Sequence, residues 1–168
     1  MKGCYCLVIR LDETTEIRIG KKLGKIKFEK GYYVYVGSAM NSLHSRIKRH
    51  LSDEKKLHWH IDYFLKYSQI TEVIYNKSNR KIECDLSQYI ASKTTGIMNF
   101  GCSDCDCESH LYYFKTKKEA IECVKDAYDS IAMDFEILKK WNLSFSCGYM
   151  KFQMNLKPVS SKLPNHHR

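Results

Sequence analysis

The sequence predicts an α+β domain, a small central antiparallel sheet flanked by helices, followed by a C-terminal helical extension. Three observations predict it. Residues 3–11, Gly-Cys-Tyr-Cys-Leu-Val-Ile-Arg-Leu, form a nearly continuous apolar run without proline, the pattern of a strand covered on both faces. Residues 31–38, Gly-Tyr-Tyr-Val-Tyr-Val-Gly-Ser, set aromatic and β-branched side chains between two glycines, as a short strand does. From Met40 the spacing turns helical, with Leu43, Ile47 and Leu51 in one stripe.

The elements follow in order. Asp12 to Thr15 is turn-like; 16–19 and 26–29 alternate and form a hairpin around the basic, glycine-punctuated stretch 20–25. In strand 32–36, Tyr33 and Tyr35 share one face and Tyr32, Val34 and Val36 the other. Gly37 ends it, and Ser38 is a candidate N-cap. The helix 40–51 stacks Arg46 and His50 along one edge. After a charged connector, a second helix is expected over 56–67, with Leu57, Ile61, Phe64 and Leu65 inward. Residues 71–75 form a strand, 82–92 a third helix with Glu83 in its first turn, and 111–114 a last strand. In 117–138, Ile121, Val124, Tyr128, Ile131, Phe135 and Leu138 are spaced 3, 4, 3, 4, 3. That seam reads either as one long helix packed on the domain or as a helix through which two copies self-associate. An apolar hairpin over 141–155 and a disordered tail over 157–168 complete the chain. The domain is thus 1–115 and the extension 116–168.

The chain has 168 residues, 43% hydrophobic and 12% aromatic, and a formal net charge of +9. That is enough for one real core. The charge favours a polyanionic partner, nucleic acid before an anionic membrane. No run approaches the roughly 20 apolar residues of a membrane span. The apolar stretch Cys4 to Ile9 lacks the pattern of a signal peptide. The protein therefore reads as cytoplasmic with no membrane partner, and its eight cysteines as thiols or metal ligands rather than disulfides.

Tyr5, Tyr35, Arg46, His50 and Glu83 are the residues whose chemistry could converge. Two phenols, a guanidinium, an imidazole and one carboxylate suit phosphodiester hydrolysis. A tyrosine helped by histidine can relay a proton from the attacking water, and the guanidinium can stabilise phosphate charge. A single carboxylate can hold one hydrated divalent ion, Mg²⁺ or Mn²⁺. The rival reading is a non-catalytic nucleic-acid-binding module. It would use the basic residues Lys21, Lys22, Lys25, Lys27, Lys48, Arg49, Lys55 and Lys56, with aromatics as stacking platforms.

The ordered set Gly-x-Tyr, Tyr-x-Gly, Leu-x-x-Arg-(x)3-His and an isolated glutamate resembles the GIY-YIG nuclease superfamily. The longer runs Gly-Tyr-Tyr-Val-Tyr-Val-Gly-Ser-Ala, Arg-Ile-Lys-Arg-His-Leu, Lys-Lys-Leu-His-Trp-His-Ile-Asp-Tyr, Glu-Cys-Asp-Leu and Phe-Gly-Cys-Ser-Asp-Cys-Asp-Cys-Glu-Ser-His-Leu are similar to its DUF123 branch. The resemblance covers residues 1–115. It implies a GIY-YIG-like fold and a metal-dependent endonuclease acting on DNA. Tyr5 and Tyr35 match the signature tyrosines, either of which can stand nearest the nucleophilic water. Arg46 and His50 match the first helix's arginine and histidine, and Glu83 the glutamate that holds Mg²⁺. His58 or His60 matches a further histidine, and Asn99 the late polar residue. In the wider superfamily the tyrosine motifs lie close together. Here a hairpin, 12–29, is inserted between them, as this branch implies. Tyr33 is expected to line the groove beside Tyr35, with Lys48 and Arg49 on the DNA.

Cys102-x-x-Cys105-x-Cys107-x-x-His110 is a second constellation. Its four soft ligands could close a tetrahedral zinc site, with Cys84 able to substitute for one of them. The plainer alternative is a loop of reduced thiols that supports the fold or lines the groove, and a third reading makes 102–110 a redox or zinc-sensing element. Cys4, Cys6, Cys123 and Cys147 sit in apolar surroundings and read as buried small hydrophobes.

Overall fold

A computed structural model describes residues 1–138; the expected hairpin 141–155 and tail 157–168 lie outside the described residues. The central element is β1 (Gly3–Leu11), paired antiparallel on one side with β4 (Gly31–Ala39) and on the other with β5 (Gln69–Lys77). β6 (Leu111–Phe114) extends the sheet beyond β4, and β7 (Glu136–Leu138) extends it beyond β5, so all five strands run antiparallel to their neighbours. The continuous apolar run of β1 is explained by this position, since side chains alternate to two faces and both are covered.

On one face Tyr5, Leu7, Ile9, Tyr33, Tyr35 and Tyr75 pack against α2 (Leu43–Leu51), α3 (His60–Leu65) and the hairpin of β2 (Thr15–Ile19) and β3 (Gly24–Phe28). A single helical turn, α1 (Gly20–Leu23), closes that hairpin within the basic, glycine-punctuated stretch. On the other face Cys4, Cys6, Val8, Val34, Val36 and Ile74 pack against α4 (Glu83–Ala91) and α5 (Lys117–Ser130). The expected burial of Cys4, Cys6 and Cys123 is observed; Cys147 lies outside the described residues.

Three expectations are corrected. Ser38 is not a helix cap: β4 continues through it to Ala39, and Ser42 caps α2 by accepting from the Ser45 N–H. The second helix starts at His60, not near 56, because the Asp62 carboxylate accepts from the His58 and Trp59 N–H groups and fixes the start there. Residues 117–138 are not one helix. α5 opens on a Thr116–Glu119 capping box and ends at Ser130. Ala132 then turns through φ 52°, and 136–138 becomes an edge strand. The apolar stripe of α5 (Ala120, Cys123, Val124, Ala127, Tyr128) is buried against the chain's own sheet. Among the described residues no helix is long and apolar enough to cross a membrane.

Candidate active site

The β1–β4 register sets Tyr5 opposite Gly37 and Leu7 opposite Tyr35. The two phenols are therefore diagonal neighbours on the face that α2 covers. A Cβ on Gly37 would stand 2.5 Å from Cζ and Oη of Tyr5, so only glycine there lets the Tyr5 ring lie across β4. The last turn of α2 brings His50 in. Its Nε2 is 2.7 Å from the Tyr5 hydroxyl, and its ring centroid is 5.4 Å from Tyr5 and 6.1 Å from Tyr35. Tyr5 and His50 are buried, 1% and 3% exposed, and Tyr35 is 9% exposed.

Burial dominates the protonation of this group. It pushes both phenols well above the ordinary tyrosine value; the Arg46 cation opposes the rise at each, and the Glu83 charge adds to it. Burial, reinforced by Lys55, Arg46 and Arg49 and opposed by Asp62, lowers His50 to about 3. Tyr5 is thus protonated and His50 neutral at neutral pH. The Arg46 charge bears on the Tyr5 oxygen, and the Tyr5 hydroxyl and His50 Nε2 share one hydrogen bond whose proton either group can supply. Nδ1 of His50 is a buried atom with no hydrogen-bond partner among the described residues.

Arg46 and Glu83 come from helices on opposite faces of the sheet and meet at its end through Ser38. The Ser38 hydroxyl donates to Glu83 Oε2 at 2.6 Å, and the Ser38 carbonyl accepts from Arg46 Nη1 at 3.2 Å. Glu83 begins α4, where the helix dipole favours a carboxylate. Its side chain is 15% exposed and has Lys81 Nζ at 3.9 Å. All five residues singled out for catalysis thus belong to one connected group.

The structure distributes the remaining candidates differently. Tyr33 does not line a groove: it is 1% exposed, packs on Phe28, Phe64 and Tyr113, and donates its hydroxyl to the Glu29 carbonyl. Its face is right, but it lies two residues deeper, under the hairpin. Arg49 is committed within the chain. It makes two hydrogen bonds, of 2.8 and 2.9 Å, to the fully buried carboxylate of Asp62 and donates to the Lys56 carbonyl. Lys48 and His58 are exposed. His60 accepts from the Gly101 N–H through Nδ1 at 2.9 Å. Gly101, at φ 73°, lies against the Tyr35 ring, so His60 is at the Tyr35 rim. Asn99 is exposed at a turn with φ 62°, and its N–H bonds the Glu108 carbonyl; no described contact brings its side chain to the Tyr5 group.

Sequence reasoning missed three supports. Ser38 joins Arg46 to Glu83. Trp59 lies under both guanidinium groups, 4.4 Å from Arg46 and 4.2 Å from Arg49, and holds Arg46 flat by cation–π attraction. Lys55 donates to the carbonyls of Arg49 and His50, stabilising the C-terminal end of α2. The lone tryptophan between His58 and His60 was the available signal for Trp59; Ser38 had none beyond its place after Gly37.

Beside Glu83 lies a cluster that could hold a metal ion. The ligand atoms of Cys84, Cys105, Cys107 and His110 are all within 4.8 Å of one another. Cys102 is outside it and points at the Glu108 carbonyl, whereas Cys84, the substitute the sequence offered, is inside it.

Comparison with known proteins found one family. A family model described as "Domain of unknown function DUF123" matches residues 4–133. No curated protein and no solved structure matches the chain.

Proposed function

The chain belongs to the DUF123 family, a family of unknown function, and from that premise we propose that it is a divalent-metal-dependent endonuclease of the GIY-YIG type that hydrolyses DNA phosphodiester bonds. The observation that carries the reading is the connected group Tyr5–His50, Arg46–Ser38–Glu83, assembled from four elements on a chain of net charge +9.

In this reading Arg46, held flat on Trp59, donates to the scissile phosphate and stabilises the charge that develops there. Attacking water is oriented by the phenol pair. As the water attacks phosphorus it gives a proton to the Tyr5 oxygen, and Tyr5 passes its own proton to His50 Nε2. Burial first, and the neighbouring cations after it, keep His50 neutral; the arriving phosphate anion offsets the cations' share and so raises the affinity of the imidazole for that proton. His60 and Lys22, whose charge bears on His60, contact the DNA backbone at the rim beside Tyr35, and Lys48 adds a phosphate contact. Glu83 is the residue that would hold Mg²⁺ or Mn²⁺. One largely buried carboxylate with a hydroxyl partner suits an ion that keeps most of its waters. Such an ion would supply positive charge to stabilise the negative charge that develops as the phosphodiester breaks.

The burial of Tyr5 favours a second reading, a non-catalytic nucleic-acid-binding module that uses the same basic surface. Plasmid nicking in Mg²⁺ and DNA binding, each measured on wild type and Glu83→Gln, separate the two. The endonuclease reading expects nicking by wild type, its loss in Glu83→Gln, and binding kept in both. Salt-sensitive binding with no nicking by either protein would establish the module instead.

A further inference from the structure

We infer that Cys84, Cys105, Cys107 and His110 form a structural zinc site that fastens the cysteine loop 101–110 to the start of α4, beside Glu83. The inference stands on geometry and does not depend on the nuclease reading. Three thiols and one imidazole bring their ligand atoms within 4.8 Å of one another. Tetrahedral zinc with Zn–S near 2.3 Å sets its ligands roughly 3.5–3.8 Å apart, so small rotations of side chains already gathered would complete the shell.

The surroundings of His110 supply the second, independent observation. Its ring is 1% exposed and presents Nε2 toward the thiols, 3.1 Å from Cys105 Sγ. The other nitrogen, Nδ1, is 2.7 Å from the buried Ser87 hydroxyl and 3.9 Å from Glu83 Oε1. A hydroxyl and a carboxylate facing Nδ1 keep its proton there and leave the Nε2 lone pair for a metal, the arrangement that commonly supports a zinc-bound histidine. Three thiolates and a neutral imidazole select zinc over the hard ions suited to Glu83. One turn of α4 thus carries Glu83, Cys84 and Ser87: a candidate catalytic carboxylate, a zinc ligand and the group that orients another. At the far end of the same loop, Gly101 rests on Tyr35 and donates to His60. The ion would therefore brace both sides of the candidate active site without entering its chemistry.

The test is the metal content of the full chain purified without added metal, together with Co²⁺ substitution and chelator competition. The inference expects one zinc per chain and, with Co²⁺, the thiolate charge-transfer and tetrahedral d–d bands. Cys102→Ser is expected to keep the zinc, whereas Cys107→Ser loses it. Ser87→Ala is expected to weaken zinc binding about tenfold. If Cys107→Ser fails to fold, the wild-type stoichiometry, the Co²⁺ spectrum and Ser87→Ala still decide. Wild type without zinc, an octahedral Co²⁺ spectrum, or zinc lost from Cys102→Ser would overturn the inference.

Discussion

Asp62→Ala is expected to cost about 3–5 kcal/mol of stability, the range for breaking a buried ion pair from one side. A chain of this size would then melt about 10 °C lower. The Asp62 carboxylate is fully buried and makes four bonds: two from Arg49 and one each from the His58 and Trp59 N–H groups. Removing it leaves Arg49 half-buried without its partner, strips the start of α3 of its acceptor, and frees Trp59, on which Arg46 rests. Burial alone would raise the Asp62 carboxyl, but the hydrogen bonds and charge of Arg49 with the two N–H groups outweigh it and hold it below the ordinary value. The sign follows. A lowered carboxylate contributes stability above its unfolded value, and that share is lost as pH falls through the folded one. His50 works the same way for a different reason. Its folded value, about 3, lies below the ordinary 6.5, so the unfolded chain binds the extra proton between them. Acidification from 6.5 toward 3 therefore destabilises by up to about 1.4 kcal/mol per pH unit. Urea midpoints across this range are expected to fall steadily for wild type, with the lowest-pH part of the decline shallower in Asp62→Ala, where only the His50 share remains.

Arg46→Ala is expected to lower the cleavage rate about a hundredfold to a thousandfold, the cost of removing one preorganised donor from a developing oxyanion. DNA affinity should change little, with the salt dependence of binding falling by about one phosphate contact. Arg46→Lys should rescue poorly, because an ammonium can neither lie flat on Trp59 nor span the Ser38 carbonyl and a phosphate together. Single-turnover cleavage beside binding isotherms at several salt concentrations measures both effects. A proportional loss of rate and affinity would assign Arg46 to general DNA attraction instead.

What the sequence showed, and what it hid, follows from how local each signal was. The strands β1 and β4 and the stripe of α2 were legible because alternation and helical period are printed in neighbouring residues. The grouping of Tyr5, Tyr35, Arg46, His50 and Glu83 was legible through an ordered set of motifs. Features that depend on distant partners were not. The register that sets Gly37 under the Tyr5 ring and the Ser38 link between helices on opposite faces arise only when β4 lies beside β1. Arg49 looked like a free surface cation until Asp62, thirteen residues on, claimed it. Tyr33 shared a face with Tyr35, but nothing local reveals that the inserted hairpin covers that part of the face. Phe135 and Leu138 fell on the helical seam, and the pairing of β7 with β5 overrode the period after Ser130. Cys84 could be named as a substitute member of the thiol cluster, but its choice over Cys102 depends on tertiary packing that brings the start of α4 to the loop.

The measurement that bears most directly on the central claim is plasmid nicking by Tyr5→Phe, which deletes one oxygen and nothing else. The Tyr5 hydroxyl is bonded to His50, and in the proposed mechanism it is the atom that passes on the proton of the attacking water. The account predicts that Tyr5→Phe stays folded and binds DNA, melts a few degrees lower because His50 Nε2 is left unpaired, and loses Mg²⁺-dependent nicking. Nicking by Tyr5→Phe at the wild-type rate would contradict it.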